Sequence, residues 1–286
     1  MPLYLAVVAG SWVTTRLPLR VAYAIGSAVG VCAYVFSRRA RRAIQGNLAV
    51  VLGLPPPSLP VRRTALAAFR NNSKNWIDSL RLGATSTAEI ERRVVVDGWE
   101  RVEEALANNR GVIMIGMHLG NVDMVGQILA VRGLPITIPV ESMRPEALFR
   151  RTQALRQSFG VQTILAESAG RALLRALQAG HIVCIMADRN LSRSSVEVEF
   201  MGRPAQVSKG PGWLISHTDV PVLLGFGIRE PGGHFRGQVT VLPVQRTADK
   251  TADLVANAQI IMHALEEPLR SNPDQWCMFL PVWNGG

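Results

Sequence analysis

Cysteine is scarce in this chain, with three residues, Cys32, Cys184 and Cys277, among 286. An odd number set far apart in apolar surroundings gives no disulfide framework, and no metal-ligand spacing joins them to His181, His217, His234 or His263. They read as reduced core residues of a protein on the cytoplasmic side. Glycine forms no phosphate-cradling loop behind a first strand, which removes the dinucleotide and nucleoside-triphosphate readings. A Gly-x-Ser-x-Gly elbow is missing too, so a serine hydrolase is not expected. Aromatic residues make up 6% and do not interleave with the basic ones, and no zinc-finger or RNA-binding signature appears, so nucleic acid is not the expected partner. Repeats and low-complexity tracts are lacking. The first residues lack the basic region and small-residue cleavage site of a signal peptide. Acidic residues are also short, 21 against 31 Lys and Arg, for a net charge of +10 and a pI near 10.6. Such a balance asks for an anionic partner.

What is present in quantity is apolar sequence. Hydrophobic residues reach 48% and mean hydropathy is +0.16. Residues 2–36 are apolar but interrupted by Arg16 and Arg20, so they do not form one clean span of about 20 residues. Helices are expected over 3–13 and 19–36, the second ending at Arg38-Arg39-Ala40-Arg41-Arg42. A basic cluster placed directly after an apolar helix favours a membrane surface. The segment reads as a membrane-embedded or interfacial anchor, with one transmembrane helix and a buried hairpin as the alternatives. We therefore divide the chain into a membrane-associating helical segment, 1–45, and a main domain, 46–286. The prolines of 54–60 read as a connector, followed by an amphipathic helix over 61–82 with Ala65, Phe69, Trp76 and Leu80 among its apolar positions.

From Val94 onward strand and helix patterns alternate: strands at 94–96, 112–117, 136–140, 161–164 and 182–186, helices at 99–108, 122–131, 145–159 and 169–178. This is the signature of an α/β fold with a mostly parallel central sheet flanked by helices. Later come a hairpin over 196–200 and 203–207 turned at Met201-Gly202, further strands at 220–228 and 237–242, and a closing helix at 251–269.

The chemistry concentrates where strands end. The run Gly111-Val112-Ile113-Met114-Ile115-Gly116-Met117 stops at His118, and Asn121 is a ready N-cap for the helix that follows. His118 thus sits on the carboxyl edge of a strand, where open α/β sheets bind ligands. Asp123, five residues on, is placed to accept from one imidazole nitrogen and leave the other free as a base, although it can equally be the acid that satisfies a capping histidine. Glu141 ends the next strand, with Arg156 on the following helix, either as a salt bridge or with Arg156, Arg144, Arg150 or Arg151 binding a phosphate. Asp188 and Arg189 follow strand 182–186 as a third group at the same edge. In the hairpin, Glu197 and Glu199 share one face and Val196, Val198 and Phe200 the other. Ser208-Lys209-Gly210-Pro211-Gly212-Trp213 is a turn feeding a helix, whose amides suit a phosphate or simply cap it.

His118-Leu119-Gly120-Asn121-Val122-Asp123 behind an apolar strand resembles the His-x4-Asp motif of the glycerolipid and lipid A acyltransferases. Phe200-Met201-Gly202-Arg203-Pro204-Ala205 resembles the Phe-Phe-Gly-x-Pro-Ala block of the lipid A and phosphatidylinositol mannoside acyltransferases. Val220-Pro221-Val222-Leu223-Leu224 and Gln275-Trp276 are similar to the family's closing blocks, although a second proline usual in the first of these is absent. The resemblance implies His118 as general base and Asp123 or a hairpin glutamate as its partner (Glu197, with Glu199 competing); Glu141, Arg156, Asp188 and Arg189, from their place at the ligand edge, are expected around the substrate. It further implies a long-chain acyl-CoA, palmitoyl by preference, as donor substrate with no other cofactor, an anionic glycolipid acceptor carrying the mannose hydroxyl, and action on the cytoplasmic face of the inner (plasma) membrane; a peripheral or monotopic monomer without metal is expected. The rival expectations are lauroyl or myristoyl transfer to lipid A from acyl carrier protein, and a non-catalytic lipid binder.

Overall fold

The computed structural model describes residues 2–107, 110–142, 144–190 and 194–283. Helices come first: α1 (Pro2–Arg16), α2 (Leu19–Phe36), α3 (Arg38–Leu52), α4 (Leu59–Arg81) and α5 (Thr87–Arg93). The alternating part runs β1 (Val94–Asp97), α6 (Trp99–Leu106), β2 (Val112–Gly116), α7 (Val122–Val131), β3 (Ile136–Val140), α8 (Glu146–Ser158), β4 (Val161–Leu165), α9 (Ala169–Gln178) and β5 (Ile182–Met186). It closes with β6 (Ser195–Phe200), β7 (Arg203–Ser208), α10 (Gly210–Ser216), β8 (Val222–Arg229), β9 (Phe235–Val241) and α11 (Lys250–Ser271). The expected end of α6 at Asn108 lies outside the described residues. Helices α3 and α5 go beyond the sequence reading, and Pro60 opens α4 rather than ending the connector, as its fixed φ allows in a first turn.

The central sheet has seven strands in the order β1-β9-β8-β2-β5-β3-β4, parallel throughout except for the β8–β9 pair. Both faces are covered, as a parallel sheet requires. Ile113, Ile115, Val183, Ile185, Val222 and Leu224 point into a core shared with α9, α10 and α11, while Val112, Ile182 and Leu223 point into one shared with α5, α6 and α7. The β6–β7 hairpin stands apart as a two-stranded sheet, sealed to the first core by Val198, Phe200, Ala205 and Val207.

The N-terminal helices are built onto the domain. Helix α2 packs on α4 through Ala22, Gly26 and Gly30, the three residues it buries. The approach is so close that a Cβ at Gly30 would lie 2.7 Å from the Phe69 carbonyl oxygen. The opposite face of α2 leaves Val21, Ile25, Val29, Val35 and Phe36 exposed, Phe36 by 81%. Among the described residues, α2 is the one helix long and apolar enough to cross a membrane. Trp76 of α4 departs from the expected apolar stripe and is 57% exposed. The stripe turns instead through Phe69, Ile77 and a buried Asp78.

Candidate active site

The topology brings two distant residues together. Strands β2 and β5 pair in parallel with Val112 opposite Ile182 and Gly116 opposite Met186, a constant offset of 70 positions. Two residues beyond each strand end stand His118 and Asp188. The His118 Nδ1 lies 2.8 Å from Asp188 Oδ1, and the His118 amide donates to Oδ2 at 3.0 Å. Trp276 Nε1 donates to Oδ2 at 2.9 Å. Asp188 has no exposed side-chain surface and His118 is 33% exposed. Burial alone would raise the Asp188 pKa, but the charge and hydrogen bonds of His118, with the Trp276 bond, hold it below the ordinary carboxylate value. Burial pulls the His118 pKa down, yet the charge and hydrogen bond of Asp188 outweigh it, and the net shift is upward. With Asp188 ionised, Nδ1 must carry the proton it donates. Nε2 then holds a free lone pair, and it has no hydrogen-bond partner among the described residues. That is the tautomer a general base needs.

The loop carrying His118 is clamped on three sides. Cys277 N–H donates to the His118 carbonyl at 2.8 Å, Gly120 N–H donates to the Gln275 carbonyl at 2.9 Å, and Asn121 N–H donates to the Gly227 carbonyl at 3.2 Å. Asn75 Nδ2 of α4 donates to the Gly120 carbonyl at 2.6 Å. Gly120 holds φ +66°, and a Cβ there would fall 1.7 Å from the Gly227 oxygen, so only glycine fits. Asn121 caps α7, its side chain accepting from the Met124 amide at 3.1 Å, and its Nδ2 donates to buried Asp78 at 3.0 Å. Asp78 also accepts from the Tyr23 hydroxyl at 2.6 Å and pairs with Arg93, 3.1 Å away, and with Arg229. Burial, helped by Asp78, pushes the Tyr23 phenol up to about 12, so it stays a neutral donor. One carboxylate therefore ties the His118 loop to α2, α5 and β8.

A polar cleft of about 240 Å³ opens beside His118, lined by Asn72, Asn75, Trp76, Ser79, Asn121, Asp123 and Cys277. A second, mainly apolar cavity of about 90 Å³ lies under α7, lined by Met114, Val125, Met186 and Phe226 among others, and it shares Val122 with the cleft. The Cys277 thiol is pushed up to about 12 by burial, which keeps it protonated at neutral pH and a poor nucleophile. Among the described residues no group of three or more His, Cys, Asp and Glu is placed to hold a metal.

Residues 1–284 match the family of bacterial lipid A biosynthesis acyltransferases. The chain belongs to this family. It is 28% identical over 284 residues to the phosphatidylinositol mannoside acyltransferase of Mycobacterium tuberculosis, covering 96% of this chain and 87% of that one. The protein of the same name from Mycolicibacterium smegmatis is 28% identical over 247 residues, or 84% and 78% of the two chains. The lipid A biosynthesis lauroyltransferase of Escherichia coli is more distant, 22% identical over 275 residues, 93% and 86% of the two.

In this acyltransferase the residues expected at the site are paired differently from the expectation. Asp123 does line the cleft and its charge favours the imidazolium, but it stands in the first turn of α7 with its carboxylate 3.6 Å from Arg156 Nη2. It does not hold the imidazole. Glu197 does not hold it either. The hairpin buries Val198 and Phe200, so Glu197 falls on the wet face and accepts from Gln206 across the hairpin at 3.0 Å. Glu199 is exposed on the same face, its backbone bonded to the Gln259 side chain. Glu141 pairs with Arg189 at 3.0 Å rather than with Arg156, and Arg150 with Glu146 on the surface of α8. Sequence reasoning missed Asp78, Asn75, Arg229 and the Trp276–Asp188 bond. Only Trp276 carried a signal, through its closing block, and it also packs as core beside Phe200 and Trp283.

Proposed function

We propose that the chain is a membrane-associated O-acyltransferase that moves a long-chain group, palmitoyl by preference, from acyl-CoA to a mannose hydroxyl of phosphatidylinositol mannosides. The observation that carries this reading is the His118–Asp188 pair at the rim of a polar cleft, in a chain similar along nearly its whole length to mycobacterial enzymes of that name. In the proposed step His118 Nε2 takes the proton of the acceptor hydroxyl as its oxygen attacks the thioester carbonyl. The tetrahedral intermediate then collapses, the C–S bond breaks, and the imidazolium returns its proton to the departing thiolate. Asp188 fixes the tautomer and stabilises the imidazolium. An acyl-enzyme is not needed, because a thioester is already activated, and no cofactor beyond the donor substrate enters the step. The apolar cavity that meets the cleft at Val122 suits the first carbons of the acyl chain, with Met114 and Met186 as adaptable walls.

The membrane part of the reading is supported by the outward face of α2, by Trp12 of α1 at 60% exposure, and by the arginines that flank them. An apolar helix packed by one face onto α4, with its other face exposed, is suited to lie in the interface with its domain, and the arginines suit anionic lipid. We assign the protein to the cytoplasmic face of the inner membrane as a peripheral or monotopic monomer. The test is thiol release from palmitoyl-CoA by wild type and His118→Ala, with and without phosphatidylinositol dimannoside. Acceptor-stimulated release lost in the variant is expected. Release indifferent to the substitution overturns the role of His118, and release only with a lipid A precursor and acyl carrier protein assigns the chain to the lipid A branch.

A further inference from the structure

The cleft beside His118 has an unusual lining for an enzyme of a +10 chain. Among the described residues no lysine or arginine lines it. Arg156 enters only through its ion pair with Asp123. A phosphate in this cleft would meet the Asp123 carboxylate with no unpaired cation among the described lining residues to offset it, which disfavours this cleft for the phosphates of donor and acceptor. Apart from Asp123, what the cleft offers is neutral and directional. Asn72, Trp76 and Ser79 occupy positions i, i+4 and i+7 of α4, one face of a helix. Trp76 is 57% exposed, and neither its indole N–H nor the Asn72 amide has a hydrogen-bond partner among the described residues. Neighbouring Asn75 is by contrast committed at both ends, to the Gly120 carbonyl and to Arg229.

A flat apolar ring with one donor, a free amide and a carboxylate around a base is a fit for a polyhydroxylated ring, which has C–H faces for the indole and hydroxyls for the rest. We propose that this cleft is a neutral-sugar subsite in which Trp76 and Asn72 hold one pyranose ring of the acceptor with a hydroxyl at His118 Nε2. The assignment rests on His118 acting as base toward a sugar hydroxyl. It adds which wall recognises that sugar, and it makes the face of α4, not the Glu141–Arg189 side, the determinant of acceptor specificity.

Two measurements test it together. Saturation-transfer NMR with methyl α-D-mannopyranoside reads the subsite without any turnover. Steady-state kinetics with palmitoyl-CoA and phosphatidylinositol dimannoside in mixed micelles separates acceptor KM from donor KM. The expected result is a sugar signal in wild type, reduced at least fivefold in Trp76→Ala and retained in Trp76→Phe. Acceptor KM should rise at least tenfold in Trp76→Ala and Asn72→Ala while donor KM moves less than twofold. Trp76 is solvent-facing and Asn72 half-buried, and unchanged far-UV circular dichroism confirms the fold. A wild type that gives no sugar signal, or variants with unchanged acceptor KM, overturns the subsite. A rise in donor KM instead assigns Trp76 to the donor nucleotide and overturns it as well. An intact sugar signal with weakened vesicle binding makes Trp76 a membrane anchor, with the same consequence. If wild type transfers to no mannoside yet shows a Trp76-dependent sugar signal, the subsite stands and the proposed acceptor falls.

Discussion

Replacing Asp188 by asparagine removes one negative charge and keeps the shape of the group that orients His118. At 2.8 Å and an effective dielectric near 20, the attraction between carboxylate and imidazolium is about 332/(20 × 2.8), or ~6 kcal/mol. This is a ceiling. The imidazole is 33% exposed, and the amide dipole that remains recovers part of the loss, so ~3–4 kcal/mol of transition-state stabilisation is at stake, a fall in kcat of about 10²–10³. The amide also offers an N–H to Nδ1, which favours the tautomer with its proton on Nε2 and pushes the loss toward the upper figure or beyond. The pH dependence gives the sign. A base must be neutral, and Asp188 raises the His118 pKa against burial, so the acidic limb of kcat/KM in wild type lies above the ordinary histidine range of about 6.5. With the carboxylate gone only burial remains as the main cause, and the limb moves to lower pH. Stability follows by linkage. The raised His118 contributes below about 6.5 and loses its contribution as pH rises through the folded value. The depressed Asp188 contributes above about 3.9 and loses its contribution as pH falls through its folded value. The pair therefore stabilises the fold most between those limits, and Asp188→Asn flattens that profile. Stopped-flow thiol release across pH is the assay. A limb that stays in place or moves upward, or a kcat within threefold of wild type, refutes the reasoning.

Three further outcomes are expected. Asp78→Ala leaves Arg229 buried without its acid and Arg93 with only Glu89, 3.5 Å away, and should cost about 3–5 kcal/mol in urea unfolding; a cost under ~1 kcal/mol would show that the network contributes little. Gly120→Ala and Gly133→Ala share a positive φ, +66° and +72°, but only the first places a Cβ against a carbonyl, the second meeting nothing within 4 Å. Gly133→Ala should cost about 1–2 kcal/mol with activity retained, and Gly120→Ala more, with activity lost; equal effects would contradict the close approach to Gly227. Ile25→Asp with Val29→Asp, on the exposed face of α2, should lower co-sedimentation with anionic vesicles at least tenfold at unchanged helicity, and undiminished binding would remove α2 from the membrane face.

Much of the fold was legible because it is periodic. The runs that became β2, β3 and β5 are short, apolar and bounded by turns, and their alternation with helices requires a parallel sheet. Helix α3 is masked in the sequence although Ile44, Asn47, Leu48 and Val51 keep helical spacing and are buried, because the arginines at its start read as the end of an anchor. Helix α5 has seven residues and one buried apolar side chain, Ile90, too little for a period. Its signal was the cap, Ser86 accepting from the Glu89 amide.

At the site, the position of His118 was a local property and its partner was not. A strand that runs into a helix places its next residues on the ligand edge whatever the neighbouring strands are. Which acid reaches the imidazole depends on which strand lies beside β2, and sheet order is written nowhere in a single segment. Asp188 was recognised as a group on the same edge, but its role follows only once β5 is known to pair with β2 in parallel register. The equal two-residue overhang then forces the contact. Glu197 shows the converse. Resemblance to a family block pointed it at the histidine, while the alternation Val196-Glu197-Val198-Glu199-Phe200 already placed it opposite the buried Val198 and Phe200. A two-residue period cannot turn one side chain inward without turning its neighbours outward, and burying Phe200 beside Trp276 and Trp283 is worth far more than burying one carboxylate. The hairpin therefore serves the core. The acid that serves the histidine comes from the loop just past β5, which the parallel pairing of β2 and β5 carries to hydrogen-bond distance of His118.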